Sequence, residues 1–249
     1  MRFSIVTTTY NSSKTVRDTI ESVLSQSYSD YEYIIVDGAS SDSTLKIVEE
    51  YKPFFFGRMR LISEPDKGIY DAMNKGFKMA KGDILALINS DDFFSDNEAL
   101  EKVATRFDEN PNADGVYANL CYVRQNDKTH VVRKWVSGEQ HPFNKGWLPA
   151  HPTFYVKRKI YEEYGYFNLD YKLAADFELM LRFVEKHHIC LSYLNEPLVH
   201  MRLGGATSKN IQNIISQNKE CMRAFKENGL PFSPLYPLFR LIPKLKQYR

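Results

Sequence analysis

The apolar residues of this chain come in short blocks that end on polar residues, and the blocks alternate with stretches of helical period. Phe3 to Thr7 reads as a strand. Ser12 or Ser13 can cap the helix that follows, whose apolar face is Val16, Ile20, Val23 and Leu24. Tyr33 to Val36 makes a second buried strand that ends at Asp37. Ser41 to Thr44 supplies cap residues for a helix carrying Leu45, Ile47 and Val48, and Arg60 to Ser63 is a third short strand. The spacing then predicts a helix from about Ile69 to Ala80, stopped by Gly82. Five consecutive apolar residues, Ile84 to Ile88, form the most telling block, because it ends Asn89-Ser90-Asp91-Asp92.

Strand–helix alternation over residues 1–95 predicts an α/β fold with a mainly parallel, doubly wound central sheet. The first, second and fourth strands each deliver polar residues at the carboxyl end: Thr8 and Tyr10, Asp37, then Asp91 and Asp92. In such a sheet those ends share one edge, and ligands bind there. Residues 96–208 are less regular. Asp96 to Asn110 reads as an amphipathic helix, and Val116 to Ala118 with a polar turn at Gln125 to Lys128 suggests antiparallel strands. A loop runs from Ser137 to Pro152. Helices are expected near Lys157–Tyr164, Asp176–Lys186 and Thr207–Asn228, the last ending at Gly229.

Composition changes this picture little. A chain of 249 residues can bury a sizeable core, and one domain is expected over 1–249. A net charge of +2 does not argue for nucleic acid. Three cysteines, far apart and without metal-ligand spacing, suit structural thiols in a reducing compartment. No apolar run is long enough to span a bilayer, and a cytoplasmic protein is expected.

The acidic pair carries the chemistry. Two adjacent carboxylates repel each other, and a divalent cation relieves the repulsion. Mg²⁺ or Mn²⁺ takes one or two carboxylates and lets a substrate phosphate complete the shell. The plainer alternative is a solvated loop in which Asp92 or Asp96 caps the next helix. Lys67, between Asp66 and Gly68 just before a helix, suits a pyrophosphate contact or is a solvated surface lysine. Arg202, beside Gly204 and Gly205, can neutralise phosphate as a flexible lid closes. Asp176 heads a predicted helix and reads equally as an N-cap or as a general base.

Taken in order, Thr8-Thr9-Tyr10-Asn11, Val36-Asp37-Gly38-Ala39-Ser40-Ser41-Asp42, Glu64 to Gly76, Asn89-Ser90-Asp91-Asp92, His151-Pro152-Thr153-Phe154 and Ala174-Ala175-Asp176 resemble the inverting family 2 glycosyltransferases of the GT-A fold. The resemblance spans about residues 1 to 205 and is closest to bacterial enzymes of surface-polysaccharide synthesis. It implies a nucleotide-diphosphate sugar as donor, a UDP-sugar ahead of GDP- or dTDP-sugars, and a bound Mn²⁺ or Mg²⁺. Thr8, Tyr10 and Asp37 would hold base and ribose, with Asn11, Asp66, Lys67, Asp71 and Ser90 in the same nucleotide-sugar set. Asp91 would contact the ribose or donor sugar, Asp92 would bind the metal, and Asp176 would be the catalytic base. A late histidine joins the metal in some such enzymes, and His200 is the candidate, against a plain structural role. Trp147, His151 and Arg202 fall on the acceptor side, where Trp147 could stack on a sugar and the acceptor is a glycan or a lipid-linked oligosaccharide. Two departures bear on donor choice: Ala175 stands where an acid often precedes the base, and Gly38 stands where many members carry a second acid.

The resemblance divides the chain into a nucleotide-sugar half (1–95), an acceptor half (96–208) and a C-terminal helix and tail (209–249). The tail interleaves Leu235, Leu238, Phe239, Leu241, Ile242 and Leu245 with Arg240, Lys244, Lys246 and Arg249. It suits docking on the inner face of an anionic membrane, or packing against the body or another subunit. Two further readings compete. A sugar nucleotidyltransferase would carry a Gly-rich basic loop where Thr8-Tyr10-Asn11 stands, and an inactive nucleotide- or glycan-binding module would not need Asp37, Asp91, Asp92 and Asp176 together.

Overall fold

A computed structural model describes residues 1–204 and 211–240. Its centre is strand β1 (Phe3–Thr9), flanked by β2 (Tyr31–Asp37), with β3 (Met59–Ser63) outside it, and on the other side by β4 (Ile84–Leu87). These four are parallel, as the alternation predicts. Between them run α1 (Val16–Leu24), α2 (Thr44–Tyr51) and α3 (Ile69–Met79). β1, β2 and β4 are buried at every position because both of their faces are covered. Ile5, Tyr33 and Ile35 pack with Val16, Ile20 and Val48 of α1 and α2. Val6, Ile34 and Val36, one residue out of phase, pack with Ala72, Met73 and Phe77 of α3. Gly76 lets α3 lie close, since a Cβ there would run into Val6.

The sheet continues with a change of direction. Among the described residues it has nine strands. The others are β5 (Phe93–Phe94), β6 (Gly115–Arg124), β7 (Asp127–Trp135), β8 (Tyr155–Lys157) and β9 (Leu191–Arg202). β8 is antiparallel to β4 and β6, β9 is parallel to β6, and β5 returns antiparallel to β9. β7 hangs on β6 as an exposed hairpin arm. The sequence pattern misses β5, β8 and β9. Two are very short, and β9 contains Pro197, has mixed burial and shifts register against β6.

The remaining helices are α4 (Ala99–Glu109), α5 (Arg158–Tyr164), α6 (Ala175–Leu181, continued as a π turn to Lys186), α7 (Ile211–Glu227) and α8 (Tyr236–Phe239). The expected start of the last long helix, at Thr207, lies outside the described residues. Gly229, with φ +70°, follows its end as predicted. The helix caps differ from expectation. Ser12 contributes its carbonyl to α1, accepting from the Thr15 and Val16 N–H groups at 3.0 and 2.9 Å. Its hydroxyl instead meets that of Ser90 at 2.8 Å. Asp42 accepts the Thr44 N–H at 2.9 Å, and Asp96 accepts the Glu98 N–H at 2.9 Å. Of the tail, Tyr236 is buried, Leu235 and Leu238 are exposed, and Arg240 donates to Asn218 and Cys221 at 3.1 Å. Leu241, Ile242, Lys244, Leu245, Lys246 and Arg249 lie outside the described residues. No helix among the described residues is long and apolar enough to cross a membrane.

Candidate active site

The carboxyl ends of β1, β2 and β4 meet at one edge. Asp37 ends β2 and is fully buried. Thr9 donates to it at 2.7 Å, Ser63 at 2.8 Å, and Ser40 through its hydroxyl at 2.5 Å and its N–H at 2.8 Å. Burial raises the carboxyl pKa, but the Ser40, Thr9 and Ser63 bonds outweigh it and hold Asp37 below the usual carboxylate range. Asp37 therefore stitches β1, β2 and β3 together from inside. Ser63 and Thr9 were not singled out from the sequence, although both end a strand level with Asp37.

Around this knot lie the other donor-side candidates. Thr8 is buried, whereas Tyr10 is 68 % exposed and its ring flanks Gly38. Asn11 adopts φ +49°, and its side-chain oxygen accepts the Ser41 N–H at 2.9 Å, which fixes the two loops to each other. Asp66 sits against Gly38, where a Cβ would collide with its carboxylate, and accepts the Gly68 N–H at 2.8 Å. Gly38, where a second acid was noted as missing, is thus the residue that admits Asp66 to the edge. Asp71 accepts the Lys67 N–H at 3.0 Å and faces Lys75 at 3.7 Å, so it anchors the first turn of α3. Lys67 itself is exposed on the loop beyond β3.

The two adjacent carboxylates differ in exposure. Asp92 is wholly buried. Its Oδ2 accepts from Asn89 at 2.8 Å and its Oδ1 from the Arg202 N–H at 3.2 Å. Burial first, and the neighbouring Asp91 second, push its pKa up to about 8. Asp91 is only half-buried, and no hydrogen bond from another described residue reaches its carboxylate. Burial raises its pKa as well. Neither acid caps α4.

The acceptor-side candidates separate. Asp176 lies in the first turn of α6, two residues past the N-cap, which is Ala174. Tyr70 of α3 donates to it at 3.2 Å. His151, whose ring is edge-on to Phe167 at 5.8 Å, lies within the field of Asp176 and has its pKa lowered by burial. Tyr70 is the residue that the sequence reading passed over, and its place one position into α3 was the available signal.

Trp147 is a core residue. It is 8 % exposed, packs edge-on against Tyr117 and Phe143, and donates to the Ser137 carbonyl at 2.9 Å. That leaves no open ring face for a sugar. Arg202 does not sit on a lid. It is 5 % exposed and donates to the Asp91 carbonyl at 2.6 Å and to the Asp18 carboxylate of α1. The ring of His200 packs edge-on to Phe93 at 5.2 Å, and burial lowers its pKa. No cluster of three His, Cys, Asp or Glu side chains with metal-binding geometry occurs among the described residues.

A parallel α/β half with a carboxylate pair beyond its fourth strand is the framework of a nucleotide-sugar enzyme of the GT-A type. Residues 4–171 match the family described as glycosyl transferase family 2, and the chain belongs to that family; it is a glycosyltransferase. A PGL/p-HBAD biosynthesis glycosyltransferase of Mycobacterium bovis (strain BCG / Pasteur 1173P2) is 26 % identical over 212 residues, covering 84 % of this chain and 80 % of the relative. Among solved structures, S. aureus TarS 1-349 in complex with UDP-GlcNAc is similar with TM-score 0.65 at 18 % identity, covering 91 % of this chain and 73 % of that one. The mannosyltransferase PcManGT from Pyrobaculum calidifontis, in complex with GDP-Man and Mn²⁺, has TM-score 0.68 at 20 % identity, covering 99 % of this chain and 69 % of that one.

Proposed function

We propose that this glycosyltransferase moves a sugar from a nucleotide-diphosphate donor to a hydroxyl of a surface glycan or lipid-linked oligosaccharide, with inversion at the anomeric carbon. The observation that carries the reading is the Tyr70–Asp176 contact at 3.2 Å. It joins the helix that leaves the donor loop to a carboxylate on the acceptor half. The PGL/p-HBAD biosynthesis glycosyltransferase supports the same class of reaction, and the UDP-GlcNAc and GDP-Man complexes of similar folds support UDP or GDP in the donor.

The edge divides by exposure. Tyr10 offers an open ring to the base, with Thr8, Asn11 and Asp37 shaping the floor beneath it. Asp66, Lys67, Asp71 and Ser90 frame the diphosphate and sugar, and Lys67 adds a positive charge beside the first turn of α3. Asp176 is the base. The acceptor oxygen bonds to the anomeric carbon as the bond to the phosphate oxygen breaks. The nucleoside diphosphate leaves with the electron pair, and the acceptor proton goes to Asp176. Tyr70 holds that carboxylate in one orientation, and the burial of His151 favours a neutral imidazole beside it.

The acidic pair fits Mn²⁺ or Mg²⁺. Its donors are hard oxygens, and its buried negative charge is undercompensated, as the raised pKa of both acids records. Asp91, half-buried and without a hydrogen bond to its carboxylate from another described residue, is the carboxylate assigned to the cation. Asp92, enclosed and hydrogen-bonded at both oxygens, is reassigned from metal ligand to holding the turn. A bound cation would supply charge to the leaving diphosphate.

Calorimetric titration with UDP, GDP and dTDP, each with and without Mn²⁺, tests the reading. Mn²⁺-dependent binding of one nucleotide is expected. A folded sample that binds none of them sinks it and favours a binding module with a degenerate site.

A further inference from the structure

Arg202 and its partners are not accounted for by the donor, the acceptor or the base. We propose that Arg202 and Asp18 are positioning residues for the Asp91–Asp92 turn, and that they set how tightly this turn holds a divalent cation with a nucleoside diphosphate. The inference rests on the donor reading above.

The geometry is specific. A single residue at the end of β9 grips the turn twice: its N–H meets Asp92 Oδ1 at 3.2 Å, and its guanidinium meets the Asp91 carbonyl at 2.6 Å. The guanidinium lies over the Phe93 ring at 5.0 Å and is 5 % exposed. It keeps its orientation through Asp18 of α1, with which it forms an ion pair. The next residue of α1, Thr19, donates to the Asp92 carbonyl at 2.7 Å. Two consecutive residues of α1 and one of β9 thus clamp a turn that no regular hydrogen-bond ladder supports. Lys128 of the hairpin arm meets the other Asp18 oxygen at 2.7 Å and completes the chain.

An arginine suits this role because its planar fork reaches a carbonyl and a carboxylate at once, which a lysine cannot do with fixed geometry. Arg202 touches Asp91 at its backbone carbonyl, so it acts on the ligating carboxylate by fixing the turn that carries it; loss of such outer support typically weakens metal binding by about 10- to 100-fold. An ion pair that only stabilised the fold would leave cation affinity unchanged.

The test is Mn²⁺ binding, followed by loss of the free-ion paramagnetic resonance signal, with and without UDP or GDP, with melting temperature measured in parallel. Asp18→Asn keeps the shape and removes the charge. Arg202→Lys keeps the charge and removes the fork. Each is expected to weaken nucleotide-dependent Mn²⁺ binding roughly tenfold or more. If Arg202→Lys fails to fold, Asp18→Asn alone carries the test, because Asp18 is the more exposed partner. Lys102→Ala, which breaks the partly exposed ion pair with Asp96, is the control and leaves binding unchanged. Binding by Asp18→Asn equal to that of the unaltered protein overturns the proposal and spares the donor reading. Absence of nucleotide-dependent Mn²⁺ binding in the unaltered protein overturns both.

Discussion

In residues 1–95 the site is built by register. β1, β2 and β4 run parallel, so their terminal residues reach one edge without further arrangement. Beyond residue 95 the same sheet is completed by strands that reverse direction, and its contributions come from long range. Asp176 is met by a tyrosine 106 residues earlier, and Arg202 by an aspartate 184 residues earlier. The contrast teaches that the proposed donor site can be a by-product of strand order, whereas the proposed base, Asp176, is placed by packing one half on the other. Substitutions in the first half should disturb the edge locally, and those in the second should separate chemistry from stability.

The largest effect is expected at the far side of that divide. Asp176→Asn should lower kcat about 1,000-fold, within the range for loss of a general base, while calorimetric donor binding is retained. Equal loss of donor binding would erase the distinction between halves. Next, Trp147→Ala should destabilise by about 3 kcal/mol in denaturant unfolding, as a large-to-small core change, and leave acceptor KM largely unmoved. A selective rise in acceptor KM would return Trp147 to a sugar-binding role.

On the donor side, Asp37→Ala strands the Thr9, Ser40 and Ser63 donors. It should cost about 2 kcal/mol, with the loss appearing in stability and donor KM together. Because the pKa of Asp37 is depressed in the fold, its contribution is present above the ordinary value of 3.8 and fades as pH falls below it. Asp92 has the opposite sign. Its folded pKa is raised, so from pH 3.8 to about 8 the folded state binds more protons than the unfolded one. Metal-free stability should therefore fall as pH rises through that window, and Asp92→Asn should flatten the slope. An unchanged slope would refute the burial of that carboxylate. The smallest effect belongs to Lys75→Ala on the rim, whose partly exposed pairing with Glu64 should be worth less than about 1 kcal/mol in the same assay.

Legibility followed the same divide. The runs Tyr33–Val36 and Ile84–Ile88 are continuous apolar blocks that only a strand covered on both faces explains, and they end where the site begins. β9 was not legible, because Pro197 and an alternation of buried and exposed positions hide a strand that matters mainly for what its last residue touches. Trp147 illustrates the limit in the other direction: an indole in a loop rich in Gly and Pro looks like a sugar platform until Tyr117, Phe143 and the Ser137 carbonyl are found around it.

By itself, the sequence determined the α/β class, the order of the parallel strands' deliveries and the acids Asp37, Asp91 and Asp92 at the sheet edge, because each follows from apolar blocks and the polar residues that end them; Asp176 followed only from the family resemblance. Tertiary structure alone decided which way those acids face. Asp37 is turned inward by donors 3, 26 and 28 residues distant. Asp92 is enclosed and accepts from the backbone of Arg202, whereas Asp91 beside it is only half-buried. Whether a carboxylate is a ligand or a brace depends on which donors reach it and whether water still can. Those donors are set by contacts between segments far apart in the chain.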